Sequence, residues 1–224
     1  PGQLGMIDLH NHTLWGVDDG APTVGHAHTM LAAYAELGYQ TVAFTPHLFH
    51  PCFPLPDPDV LQTRFAALER IAHPLGVEVH LWGEHYFSAG MVEAFAAGRT
   101  GYQLLGGRYL LMEFGAFDNL GLLGNFMFRL QLSGIAPVLA HPERYSLLDK
   151  QWAQLVRMRE CGCLFQLNAR SLAGREGART QRLALKLIRE GLADVVASDA
   201  HSTEDIREVV PPAVVQVERT FGSE

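Results

Sequence analysis

The first groups with evident chemistry are His10 and His12, at the end of a short apolar run, Met6-Ile7-Asp8-Leu9. Two imidazoles two residues apart on an extended segment project to one side, so both can reach a single cation. Similar groups recur down the chain. They are Asp18-Asp19-Gly20 in the next loop, Thr45-Pro46-His47, Gly83-Glu84, Met112-Glu113-Phe114, Ala140-His141-Pro142-Glu143-Arg144 and Ala197-Ser198-Asp199-Ala200-His201. Imidazole with carboxylate suits manganese, iron or zinc, and the lack of cysteine among these groups argues against a closed structural zinc site. Counting one aspartate of the Asp18-Asp19 pair, nine candidate ligands exceed what one ion can use, so two or three ions are implied. Close-set ions with bridging carboxylates generate hydroxide near neutral pH and clamp phosphoryl oxygens.

Taken singly, each group has a plainer explanation. A lone histidine at a strand end is more often a surface or hydrogen-bonded residue, and Asp18 and Asp19 have the composition of a turn before a helix. Glu113 is harder to dismiss, because it sits in an apolar run where an unpaired carboxylate is costly. His85 adjoins Glu84 and stays open as a candidate, whereas His26, His28, His50, His73 and His80 carry less weight.

These groups need elements that bring them together. Seven apolar runs read as strands: Met6–Leu9, Thr41–Thr45, Val77–Gly83, Tyr109–Phe114, Pro137–Ala140, Leu164–Leu167 and Asp194–Ala197. They are nearly continuous in apolar residues, as parallel strands covered on both faces are. Between them lie amphipathic stretches, His26–Leu37, Val60–Ala72, Leu122–Leu132, Gln151–Arg159 and Arg179–Glu190, several followed by glycine, as at Gly38, Gly76, Gly134, Gly162 and Gly191. Seven β-then-α units predict one α/β domain. An open doubly wound sheet remains an alternative. A closed, distorted seven-stranded (β/α)7 barrel of the TIM type fits better, because the polar groups gather at one end of almost every strand, where barrel enzymes build their sites. Only the sixth strand, ending near Asn168, lacks an evident ligand, and Pro51–Pro58 reads as a loop rimming the same face.

The 224 residues, 48% hydrophobic, suffice for one well-buried domain over residues 6–224, with 1–5 read as a cloning remnant before Met6. A net charge of −7 without a Lys/Arg block argues against nucleic acid or a membrane surface as partner. No apolar run approaches the ~20 residues of a membrane span, and no signal peptide is read at the start. Cys52, Cys161 and Cys163 form no framework, which predicts packing thiols in a reducing cytoplasm. None is separated from an arginine by five residues, as the cysteine-dependent tyrosine phosphatases require; Cys163 and Arg170 are separated by six.

With its His-x-His opening and scattered His/Asp/Glu ligands, the chain resembles the polymerase-and-histidinol-phosphatase superfamily. Within it, the chain is similar to the bacterial manganese-dependent protein-tyrosine phosphatases of capsule and exopolysaccharide operons. The resemblance runs from Met6 to about Arg207. Its specific parts are the Asp8-x-His10-x-His12 opening with Val17-Asp18-Asp19-Gly20, the run His141-Pro142-Glu143-Arg144-Tyr145, and Ala197-Ser198-Asp199-Ala200-His201. It implies a seven-stranded barrel binding three metals, manganese first, with iron or zinc as alternatives. One ion would take His10, His12, Glu84 and Asp199; a second would share Glu84 and add Glu113 and His141. A third would use Asp19, the second aspartate before the glycine, with His47 and His201. Arg144 would contact the phosphate and assist the leaving group, and Arg207 would be a second phosphate contact. Where the family's third strand often ends Gly-x-Glu-Ile-Arg, this chain reads Trp82-Gly83-Glu84-His85-Tyr86, keeping the carboxylate and lacking the neighbouring arginine.

The expected function is therefore hydrolysis of phosphotyrosine on a protein, the implied partner being the tail of a bacterial tyrosine autokinase. A small-molecule phosphatase, such as one acting on histidinol phosphate, is the alternative within the superfamily. A nuclease is disfavoured by the acidic surface. A non-catalytic regulatory or scaffold protein would be expected to have lost ligands, and none is missing. Oligomeric state is left open.

Overall fold

Parallel strands built from apolar residues need cover on both faces, and the helices of this chain supply one of them. The computed structural model describes residues 5–98, 105–115, 120–145 and 150–221, so Pro1–Leu4 of the expected leading remnant lies outside the described residues. The strands are β1 Met6–Asp8, β2 Tyr39–Phe44, β3 His47–Leu48, β4 Glu78–Leu81, β5 Glu84–Tyr86, β6 Tyr109–Glu113, β7 Ala136–Ala140, β8 Leu164–Asn168 and β9 Val195–Ala197. The helices are α1 Val24–Glu36, α2 Pro58–Ala72, α3 Ala89–Ala96, α4 Leu120–Leu132, α5 Trp152–Glu160, α6 Ala169–Leu172, α7 Ala178–Arg189 and α8 Val210–Phe221. Among the described residues every pair of these strands is parallel, in two sheets ordered β1-β2-β4 and β3-β5-β6-β7-β8-β9.

The described strands number nine where seven were expected, because two of the seven are each broken in two. Both breaks fall at the same level, at Thr45-Pro46 and at Trp82-Gly83. Pro46 has no N–H to give the ladder. The ladder resumes beyond it, with Trp82 N–H donating to Phe44 O at 2.8 Å and Glu84 N–H to Pro46 O at 3.1 Å. A Cβ on Gly83 would lie 2.4 Å from Leu48 Cδ1, so a side chain there would require Leu48 to shift. At their carboxyl ends the two sheets are joined between β1 and β9 by main-chain bonds from His12 N–H to Ala200 O at 2.9 Å and Asp199 N–H to His10 O at 2.8 Å.

Strand alternation decides which residues meet the helices. Leu110, Met112, Leu139, Phe165 and Leu167 pack outward against Leu123, Leu130, Leu155, Leu183 and Leu187. Val42 and Phe44 pack against Leu31 and Tyr34 of α1 and Leu61 and Leu68 of α2. Burying each such side chain is worth about 1.5–3 kcal/mol. The alternate residues Leu111, Val138 and Ala140 face the opposite side with Leu9, Trp82 and Leu164.

Helix ends follow local chemistry. Thr23 Oγ1 accepts from His26 N–H at the start of α1, and Asp57 caps α2 with Pro58 in its first turn. Pro58 thus opens a helix, where the loop reading had extended through it. Gly38, Gly76, Gly134, Gly162 and Gly191 all have positive φ, which L side chains resist. Among the described residues no helix is long and apolar enough to cross a membrane.

Candidate metal centre

The carboxyl ends of the strands converge on a group of imidazoles and carboxylates. His10 and His12 follow β1, and their Nε2 atoms both meet Glu84 Oε2, at 3.3 and 3.5 Å, and Asp199 Oδ1, at 3.3 and 3.4 Å. His47, which opens β3, places Nδ1 3.0 Å from Glu84 Oε2 and 3.2 Å from Glu113 Oε1. His141 Nε2 lies 3.0 Å from Glu84 Oε1 and 3.9 Å from Glu113 Oε2. Asp19 Oδ1 lies 3.3 Å from His201 Nε2 and 3.6 Å from His47 Nε2. The main chain is strained where two of these groups sit: His141 has φ 36° and Asp199 φ 50°, values non-glycine residues adopt only when their surroundings compel it.

A second layer of hydrogen bonds sets the tautomers. His10 Nδ1–H donates to Gln166 Oε1 at 2.8 Å, His12 Nδ1–H to Asp18 Oδ2 at 2.8 Å, and His201 Nδ1–H to Asp199 O at 2.9 Å. That leaves each Nε2 lone pair turned toward the carboxylates, as metal-ligating histidines are held. Gln166 is oriented in turn, its Nε2 donating to Leu167 O and Asn168 Oδ1, and Asn168 Nδ2 donates to Asp199 Oδ2 at 2.5 Å. Asp18 also accepts from the N–H groups of His47 and Gly20. A Cβ on Gly20 would collide with His12 O at 1.9 Å, so only glycine lets this loop close on the histidine.

The electrostatics have one sign. Burial opposes charge on His10, yet Glu84 and Asp199 outweigh it and push its pKa up to about 9; His47 rises to about 10, chiefly through Glu84. Burial likewise opposes ionisation of Glu84 and Asp199, but the imidazoles hold both carboxyls well below the usual range. The hydrogen bond to His201 takes Asp19 down to about 2. Meanwhile His10 Nε2, His12 Nε2, His47 Nδ1, Glu84 Oε2 and Glu113 Oε1 are buried without a hydrogen bond. Buried polar atoms left so are costly, and a divalent cation satisfies lone pairs of both kinds at once.

Among the described residues, four groups each bring their donor atoms within 4.8 Å of one another: His10, His12 and Glu84; Glu84, Glu113 and His141; His12, Asp19, His47 and His201; and His47, His50 and Glu113. The first set adjoins Asp199 through the contacts above. All nine expected ligands are therefore brought into one cluster, with Glu84 at its centre. His50, given little weight from sequence, stands 3.8 Å from Glu113 and belongs to it spatially. His85, kept open as a candidate, points the other way: alternation along β5 aims it from Glu84 toward Phe49 and Phe95, and its Nδ1 lies 3.1 Å from the carbonyls of Gly83 and Leu111.

The two arginines separate. Arg144 sits at the edge of the cluster, its Nη1 3.4 Å from Asp199 Oδ2 and its Nε 3.3 Å from Glu176 Oε1. Arg207 does not join it. From the π-helical turn Asp205–Val209 its Nε and Nη2 donate to the carboxylate of Glu36, in the last turn of α1, at 2.8–3.1 Å. That pairing uses the guanidinium's forked face, so the expected second phosphate contact is not where the structure places it.

Sequence reasoning also passed over Asp18 as a partner, Gln166, Asn168 and Glu143. Glu143 Oε1 accepts from Asn168 N–H at 2.8 Å, and burial pushes its carboxyl up to about 7. The available signal was Gln166 and Asn168 at alternate positions of an otherwise apolar strand, Leu164-Phe165-Gln166-Leu167-Asn168.

Comparisons with known proteins agree with this picture. The chain is 33% identical over 227 residues to the tyrosine-protein phosphatase YwqE of Bacillus subtilis, covering 98% of this chain and 86% of that protein. It is 27% identical over 233 residues to the tyrosine-protein phosphatase CpsB of Streptococcus agalactiae, covering 98% and 92%. Among solved structures it superposes with TM-score 0.87 and 29% identity on a chain from the crystal structures of YwqE from Bacillus subtilis and CpsB from Streptococcus pneumoniae, metal-dependent tyrosine phosphatases, covering 98% and 89%. A histidinol phosphate phosphatase from Lactococcus lactis, at TM-score 0.66 and 9% identity over 97% and 94%, shares the fold. The family model for capsular polysaccharide synthesis, CpsB/CapC, matches residues 6–224, and the chain belongs to that family.

Proposed function

We propose that residues 6–224 form one metal-dependent protein-tyrosine phosphatase domain acting in capsular or exopolysaccharide synthesis. The observation that carries this reading is the meeting of His10 Nε2, His12 Nε2, Glu84 Oε2 and Asp199 Oδ1 within 3.3–3.5 Å, with both histidine tautomers set from behind. His10, His12, Glu84 and Asp199 would hold one divalent ion. Glu84, Glu113 and His141 would hold a second, and Asp19, His47 and His201 a third; the mixed imidazole and carboxylate set suits manganese, iron or zinc, and the family resemblance puts manganese first. Such ions supply a nucleophile at neutral pH and Lewis-acid stabilisation of phosphoryl oxygens.

The chain's own residues do the rest. Gln166 and Asp18 keep Nδ1 of His10 and His12 protonated, so neither ring can turn its lone pair away. Arg144, half-exposed beside Asp199, has a guanidinium positioned to bind equatorial phosphate oxygens and to offset charge on the leaving oxygen. We read the two sheets as one distorted seven-stranded barrel, supported by the main-chain bonds that join them at the carboxyl ends. The substrate would be a cytoplasmic phosphotyrosine protein, the tail of a tyrosine autokinase being the first candidate.

The test is turnover of a phosphotyrosine peptide and of histidinol phosphate by protein stripped with a strong chelator and then reloaded with Mn²⁺ or Zn²⁺. Activity on the peptide should vanish on stripping, return on reloading and survive iodoacetamide. Turnover that resists chelation but not iodoacetamide would overturn the metal mechanism, and preference for histidinol phosphate would overturn the substrate.

A further inference from the structure

The cluster has two unlike borders. On the Asp199 side stand charged and amide groups, Arg144, Glu176 and Asn168. On the His47 side stand aromatic rings. Phe53 lies flat on His47, with ring centroids 5.2 Å apart and planes 8° from parallel. His50 fills the corner, 4.6 Å from His47, 4.9 Å from Phe53 and 5.0 Å from Tyr86, whose ring meets it edge-on.

The loop carrying His50 and Phe53 is held in place. Phe49 has φ 61°, Cys52 N–H donates to His50 Nδ1 at 3.1 Å, Phe53 N–H donates to His50 O at 3.3 Å, and Pro51, Pro54 and Pro56 restrict the main chain. Phe53 is only part-buried, so a large apolar ring is kept at the mouth of a highly charged site, next to a candidate ligand. Packing does not require it there, because Phe53 lies outside the three buried core clusters.

We propose that Phe53, backed by His50 and Tyr86, is a specificity-determining residue that receives the aromatic ring of an aryl phosphomonoester. The inference rests on the phosphatase reading for its substrate class and goes beyond it by naming the contact that favours an aryl leaving group over an alkyl one. With the phosphoryl group at the cluster and Arg144 on the Asp199 side, a leaving group passing over His47 runs along the aromatic wall. Offset or edge-to-face ring contact there binds a phenyl group and gives nothing comparable to a short alkyl chain.

The test compares wild type, Phe53→Ala and Phe53→Trp, all loaded with Mn²⁺, by calorimetric titration with phenylphosphonate and with inorganic phosphate. Metal content is measured on the same samples. Phe53→Ala should weaken phenylphosphonate about three- to tenfold, leave inorganic phosphate and metal content unchanged, and Phe53→Trp should retain the aryl preference. Equal weakening of both ligands, no change in either, or metal loss in Phe53→Ala would overturn the proposal and make Phe53 a support of His47. Selective binding of phenylphosphonate by a wild type that hydrolyses no aryl phosphate would instead overturn the phosphatase reading and leave the aromatic wall standing.

Discussion

The two ends of the same strands have opposite chemistry. At the carboxyl ends, the buried Glu84 and Asp199 face imidazoles at 3.0–3.3 Å. Toward the amino ends of β6 and β8, Tyr109, Leu111, Val138 and Leu164, together with Leu9 and Trp82, line a half-open cavity of about 330 Å³ whose surface is almost wholly apolar. Gln166 belongs to both, lining the cavity and accepting a hydrogen bond from His10 Nδ1–H. The contrast shows what each end demands. Buried carboxylates are tolerated where imidazoles or cations compensate them, whereas the apolar end is satisfied by packing and needs no partner atoms.

The comparison breaks most sharply at Glu84. Glu84→Gln keeps the shape but removes the charge that four histidines face, so metal content should fall and kcat should drop by more than about 10³-fold. Elemental analysis decides: a variant that keeps its full metal complement removes Glu84 from the bridging position. One step outward, Arg144→Ala should retain the metals while kcat/KM on a phosphotyrosine peptide falls roughly 10²–10³-fold, the scale of one lost transition-state donor. Near wild-type turnover would return Arg144 to an ordinary surface ion pair with Glu176, worth under about 1 kcal/mol.

At the junction, Gln166→Leu removes the acceptor that sets the His10 tautomer. Competition with a chromophoric chelator should show metal affinity about 10–100-fold weaker, as for other partners behind a ligating histidine. Unchanged affinity would show that His10 is oriented by something else. The smallest effect belongs to the apolar end. Val138→Ile adds one methylene toward the cavity and should raise stability by about 0.8 kcal/mol, seen as a higher Tm, with metal content and kcat within about twofold of wild type. A loss of metal on filling the cavity would mean that the two ends are not independent.

Much of this was legible in the chain before any coordinates. Residue type and strand-end position sufficed to place His10, His12, His47, Glu84, Glu113, His141, Asp199 and His201 in one cluster, because ionisable groups at the tips of apolar strands have few inexpensive fates. The helices between the strands were legible for a similar reason: amphipathic runs ending in glycine leave the backbone little choice. The resemblance supplied Asp19 over Asp18, a choice the local residues did not force.

Tertiary structure decided the remainder. Pro46 and Gly83 look like ordinary strand-end residues in the sequence, yet set side by side they break two strands into four. Arg144 and Arg207 are equally charged on paper. One reaches Asp199, and the other is captured by Glu36 from a helix 171 positions away. Gln166, Asn168 and Asp18 matter here through the hydrogen bonds they make across 156, 31 and 6 positions. Burying a charge or an imidazole is costly enough to be read from residue type, whereas a hydrogen-bond partner is chosen by distance and direction, and those exist only once the strands have packed.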